Sequence, residues 1–179
     1  MYTRKLAMNG MLAALCAALG YVALDFGSMK ITFESLPVLM GALLFGPADG
    51  ALIGGLGTLL YQLVRYGVSA TTLLWILPYV VCGLLAGWLS RRSGFALSGW
   101  RLTAAAVLCQ LVITALNTLA LCVDGMVFDY FTPEFILVPL LPRLVLAAAE
   151  GAAFAAVLPA LLRAARRALG QREAGGEAL

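Results

Sequence analysis

LAMNGMLAALCAALGYVAL, residues 6–24, carries no charge and follows directly on Arg4 and Lys5. A run of this length matches the ~20 residues that a helix needs to cross the hydrocarbon core of a bilayer. A secretory h-region is shorter, about 7–15 residues, and closes on a small-residue cleavage site that this run does not show. The stretch therefore reads as a first spanning helix rather than a leader. Composition agrees. Of 179 residues, 63% are hydrophobic and 12% charged, with a mean hydropathy of +0.97. A soluble domain is about half apolar and about a quarter charged.

Five more apolar runs follow. The reading is an all-α integral membrane protein with six transmembrane helices, at 6–25, 33–48, 50–66, 70–90, 102–123 and 141–165. One domain spans 1–170, and the polar tail 171–179 is expected to be disordered. The second helix is short. The link Phe45-Gly46-Pro47-Ala48-Asp49-Gly50 is a tight turn: Gly and Pro stop one helix, and Asp49 is placed to cap the next. The connection 124–140 holds Phe128, Tyr130, Phe131, Phe135, Pro133 and Pro139. It is too apolar for a free linker and is expected to fold back over the outer face as a lid or half-helix.

Basic residues set orientation. Arg4, Lys5, Arg91, Arg92, Arg101, Arg163, Arg166, Arg167 and Arg172 fall on one side of the six-helix arrangement, which places both termini in the cytoplasm. Lys30, Arg65 and Arg143 lie near the outer ends of spans two, three and six. The outer loops are acidic, with Asp25, Glu34, Asp124, Asp129 and Glu134.

Small residues recur at four-residue spacing, which lets helix backbones approach closely. Gly50 and Gly54, and Gly83 and Gly87, suit packing inside the bundle. Span one carries Gly10, Ala14 and Ala18, with Ala13 and Ala17 beside them, a face wide enough for a partner helix as well as for internal packing.

Polar residues form two stripes. Thr58, Tyr61, Gln62 and Arg65 share one face of span three, and Gln110, Thr114, Asn117 and Thr118 one face of span five. Hydrogen bonding between helices accounts for any single one of them as well as solute binding does. Two stripes running toward the outer surface favour a polar pocket open outward. Arg143 begins span six, where it either snorkels or meets an anion. Glu150 lies two turns deeper, and an intramembrane carboxylate is a functional candidate by default. It either pairs with a cation, hydrogen-bonds a ligand donor or stays protonated. Trp75 is either a belt tryptophan or a stacking surface for a flat ring.

Several classes are excluded. There is no Walker motif, so the chain does not hydrolyse ATP itself. Without histidine there is no His-based acid–base pair or serine triad. Cys16, Cys82, Cys109 and Cys122 lie in apolar stretches and read as small core residues, with no metal or other cofactor implied. The basic tail is a topology signal, not a sign of nucleic acid.

The residues also resemble a known family. The stretch Ile31-Thr-Phe-Glu-Ser-Leu-Pro-Val-Leu-Met-Gly-Ala-Leu-Leu-Phe-Gly-Pro47, followed by Gly50 to Gly57, is similar to spans two and three of the substrate-binding S components of energy-coupling factor (ECF) vitamin transporters. The pairs Ala13/Ala17 and Ala14/Ala18 are similar to that family's first-helix motif. Leu116-Asn117-Thr118-Leu119 and Leu141-Pro142-Arg143-Leu144 look most like the folate-type branch. That branch has a second proline where Leu141 stands and an acidic residue where Thr58 stands. The resemblance implies a bacterial plasma-membrane subunit that binds a vitamin, docks through span one on a transmembrane T component, and is driven by two cytoplasmic ATPases. The ligand it implies is folate, and the residues fit its chemistry, with Lys30, Arg65 or Arg143 for the carboxylates, Trp75 or Tyr61 for the ring and Asn117 or Gln62 for the pterin edge, a fit that also suits pantothenate or a deazapurine. Pantothenate, a deazapurine such as queuine, or cobalamin are the alternatives. A structural membrane protein like the cell-shape scaffold MreD is a further alternative of similar size.

Overall fold

In a chain this uniformly apolar, the breaks between helices define the fold. The computed structural model describes residues 2–26, 29–132, 134 and 138–168. Among them are six helices: α1 (Tyr2–Tyr21), α2 (Ser35–Phe45), α3 (Pro47–Arg65), α4 (Thr72–Arg92), α5 (Gly99–Val127) and α6 (Leu140–Ala168). The tail 171–179, and Pro133 and Phe135 of the expected lid, lie outside the described residues.

Two breaks differ from expectation. The first helix stops at Tyr21, and Leu24–Phe26 (β1) pairs antiparallel with Met29–Ile31 (β2). The fold is therefore helical apart from this small hairpin. Gly20 and β-branched Val22 weaken the end of α1, and Val22 N–H makes a last helical bond to the Ala18 carbonyl. Lys30 lies in β2 opposite Asp25, but its side chain is outside the described residues. The second correction concerns Asp49. Gly46, at φ +102°, occupies the cap position of α3, and Pro47 follows as its first residue. Asp49 sits within the first turn instead, where an acidic side chain offsets the helix dipole. Its carboxylate accepts from Asn9 Nδ2 at 2.7 Å and meets Lys5 Nζ at 2.8 Å, tying α1 to α3.

The short helix α2 is the centre of the molecule. Its eleven residues are largely buried and lie against α1, α3, α4 and α6. Leu12, Cys16, Val38, Leu39, Ile53, Cys82, Cys109, Phe154 and Leu158 form one continuous core around it. α3 and α4 cross with their backbones in contact. A Cβ added to Gly50 would lie 2.8 Å from the Gly83 carbonyl oxygen, and one on Gly54 would lie 2.5 Å from that of Tyr79. Only glycine permits such an approach.

Three helices, α4, α5 and α6, are long and apolar enough to cross a membrane. With 29 residues, α5 extends roughly 44 Å at 1.5 Å per residue, beyond a hydrocarbon core of about 30 Å. It also runs farther at both ends than the expected 102–123, so Asp124 belongs to its last turn rather than to a loop. The helix α2 is only 11 residues long.

The two ends of the bundle differ chemically. Arg4 and Lys5 begin α1, Arg91 and Arg92 end α4, Arg101 begins α5, and Arg163, Arg166 and Arg167 end α6. Contacts join these segments: Arg166 Nη2 donates to the Phe95 carbonyl at 2.8 Å, and Arg91 lies over Gly46. The opposite end is hollow.

Candidate functional site

A cavity of about 490 Å³ opens at that opposite end. Volumes of roughly 300–1,000 Å³ are typical of small-molecule sites. Its wall is built from the last turns of α3 and α5, the first turns of α4 and α6, and the residues before α2.

From α3 come Thr58, Tyr61 and Gln62, all buried. Arg65, the fourth member of that stripe, does not line the cavity. It is exposed, 5.9 Å from the Tyr21 ring centroid and 5.6 Å from that of Tyr66, while Tyr66 beside it does line the cavity. The α5 stripe divides similarly. Thr114, Asn117 and Thr118 line the cavity, with the Thr118 hydroxyl donating to the Thr114 carbonyl at 2.8 Å. Gln110 is buried deeper, where its Nε2 donates to Glu150 Oε2 at 2.9 Å. Arg143, half-buried, and Glu150 line the cavity from α6, and Trp75 and Tyr79 from α4. Of the eight candidate ligand contacts, Tyr61, Gln62, Trp75, Asn117, Arg143 and Glu150 are brought together.

Glu34 is a site residue that sequence reasoning left among the outer loops. It is 3% exposed and faces the cavity. It occupies the position before α2 yet makes no capping hydrogen bond with its side chain. Its carboxylate instead accepts from the Tyr79 hydroxyl, and from Thr32 Oγ1 at 3.3 Å. A Cβ on Gly20 would lie 2.5 Å from Glu34 Oε2, so α1 leaves a notch for this carboxylate. The signal was in the sequence: one carboxylate directly before an eleven-residue apolar helix.

Asp124 is the second such residue. Its two oxygens accept from the hydroxyls of Thr71 and Tyr130. It thereby joins the α3–α4 loop to the segment after α5 across the rim. The Tyr130 and Phe131 amides both bond the Gly125 carbonyl, folding that segment back on α5. Burial and the bond to Asp124 push the Tyr130 phenol up to about 12, so it remains a donor throughout the neutral range.

The small face of α1 also resolves. Ala13 is 4% exposed and packs on α3, where a Cβ on Gly57 would lie 3.0 Å from its carbonyl oxygen. Ala17 is half-buried. Gly10, Ala14 and Ala18 are exposed, alongside Met11 and Leu15.

In comparisons with known proteins, the family model described as "ECF transporter, substrate-specific component" matches residues 4–162. No match was found among curated proteins.

Proposed function

The chain belongs to the substrate-specific components of ECF transporters, a family of membrane proteins, and from that premise we propose that it captures a vitamin in the cavity between Glu34, Asn117, Arg143 and Glu150. It is a transport subunit and not an enzyme. The observation that carries the reading is the cavity itself, polar and aromatic in its lining and set at the end opposite most of the basic residues. The positive-inside tendency then directs the cavity outward and leaves both termini in the cytoplasm of a bacterial cell. All six helices form one bundle in the membrane, with α2 held among its neighbours rather than against lipid.

The proposed substrate is folate or a related anionic vitamin. Support comes from Asn117, Thr118 and Arg143, which carry the likeness to the folate-type branch and all line the cavity. Arg143 takes a ligand carboxylate, and Trp75 and Tyr61 take the ring. Docking on a T component uses the exposed face of α1, with Ala14 and Ala18 at its centre and Ala17 at its edge. Two partner ATPases supply the energy.

The test is tryptophan-fluorescence titration of the detergent-purified chain against folates, pantothenate, queuine, riboflavin, thiamine, biotin, pyridoxine and cobalamin. Saturable, submicromolar binding of one of them is expected. Silence across the panel from folded protein would overturn the reading.

A further inference from the structure

The hydrogen-bonding inventory of the cavity is lopsided. Glu150 Oε1 and Asn117 Oδ1 are buried with no partner, and so is the hydroxyl of Thr58, which is 1% exposed. The Asn117 oxygen only accepts, the Glu150 oxygen accepts when the carboxylate is ionised, and a hydroxyl accepts as readily as it donates. A buried acceptor left unmatched costs about 1–3 kcal/mol, so the occupant must supply hydrogens. Charge points the same way. Glu34, Asp124 and Glu150 line the cavity, against Arg143 as the single cation among the described side chains. Asp124 is committed to the rim through Thr71 and Tyr130.

Glu34 and Glu150 border the same part of the space. Phe33 and Phe154, next to Glu34 and one turn beyond Glu150, bring their ring centroids to 6.0 Å. Gln110, 4% exposed, holds Glu150 by its Oε2, and Glu150 lines the cavity beside Glu34. Trp75, Tyr61 and Tyr79 give that space aromatic walls.

We infer that the substrate presents a planar ring edge rich in N–H groups to Glu150 and Glu34, with the 2-aminopyrimidin-4-one edge common to pterins and deazaguanines as the chemistry that fits. A ring N–H and an adjacent exocyclic amino group donate in parallel to a carboxylate, the strong bidentate arrangement. Asn117 and Thr58 accept the remaining hydrogens. Gln110 acts as a positioning residue. A site built around such acceptors discriminates against a ligand that lacks the donors, which disfavours pantothenate. The inference rests on the cavity being the substrate site.

The experiment compares pterin with lumazine, in which a carbonyl replaces the 2-amino group, on the full-length chain in detergent. The unaltered protein is expected to bind pterin at least about tenfold more tightly, the worth of one charge-assisted hydrogen bond. Glu150→Gln is expected to remove most of that preference by weakening pterin, which donates twice to the carboxylate, more than lumazine, which keeps only the ring N–H. Equal binding of the two rings by the unaltered protein overturns the inference, as does a Glu150→Gln variant that weakens both alike. The comparison on the unaltered protein decides the matter if the variant does not fold. Folic acid binding more tightly than 7-deazaguanine would assign the ring to a pterin, and the reverse order to a deazapurine; both support the inference. Binding of pantothenate or biotin with neither ring bound overturns the inference and leaves solute capture standing. No binding of any vitamin overturns both.

Discussion

Asp49 and Glu150 are both carboxylates in apolar helices, at opposite ends of one bundle, and they are treated differently. Asp49 has each oxygen matched, one by Asn9 and one by Lys5. Glu150 has one oxygen matched by Gln110 and the other buried with no partner. The hydroxyls follow suit: Ser90 donates to the Leu43 carbonyl near the basic end, while Thr58 has no partner in the cavity. Burying unmatched polar groups is costly; among the described residues the closed end leaves one, Asn9 Oδ1, whereas the hollow end leaves Glu150 Oε1, Asn117 Oδ1 and Thr58 Oγ1 on residues that line a cavity. The closed end uses polarity to hold helices together. The hollow end holds it in reserve for a solute.

The comparison breaks most severely if the scaffold under both ends is disturbed. Gly83→Leu puts a side chain into the α3 backbone at the crossing with Gly50. Overpacking of this kind costs about 1–3 kcal/mol and more where backbone must move; the expected result is loss of monodisperse protein on size-exclusion chromatography. Ala14→Leu tests the other face of α1. Ligand affinity is expected to stay, while uptake in cells that carry the partner subunits falls to background. Lost affinity would show that the exposed face is part of the site. At the hollow end, Arg143→Ala is expected to weaken an anionic ligand by about 1–3 kcal/mol, measured by titration, with thermal stability little changed. The closed end should show the reverse. Asp49→Ala is expected to lower the unfolding temperature modestly, by the ~1 kcal/mol or less of a partly exposed ion pair, and leave ligand affinity alone. A loss of ligand affinity from Asp49→Ala would erase the distinction between the two ends.

The helices were legible because their signals are long. Uninterrupted apolar runs, the Gly46-Pro47 break and the asymmetric arginines mark all six within a few residues, and helical spacing put Thr58, Tyr61 and Gln62 on one face. The hairpin at residues 24–31 was not legible, since three-residue strands are too short to show an alternating period. Arg65 shares the stripe's face on α3 but lies against the Tyr21 and Tyr66 rings instead of the cavity: spacing along a helix gives a direction, and the neighbouring side chains decide which residues on that face reach the space. Glu34 was passed over because it was counted with the acidic outer loops, where a carboxylate ordinarily faces water. Here the Tyr79 hydroxyl, 45 residues away in the chain, competes successfully for that carboxylate, and no local pattern announces a partner so distant.

The notch at Gly20 places Glu34 directly against α1, the helix whose far side carries Ala14 and Ala18. Solute and docking partner would thus be separated by the thickness of one helix. Any tilt of α1 on docking would shift the wall behind Glu34, and a filled cavity would resist that tilt. Thermodynamic linkage makes such an effect reciprocal: whatever factor a docked partner imposes on solute affinity, the solute imposes on docking. A single glycine would then let loaded and empty subunits compete unequally for the same transporter.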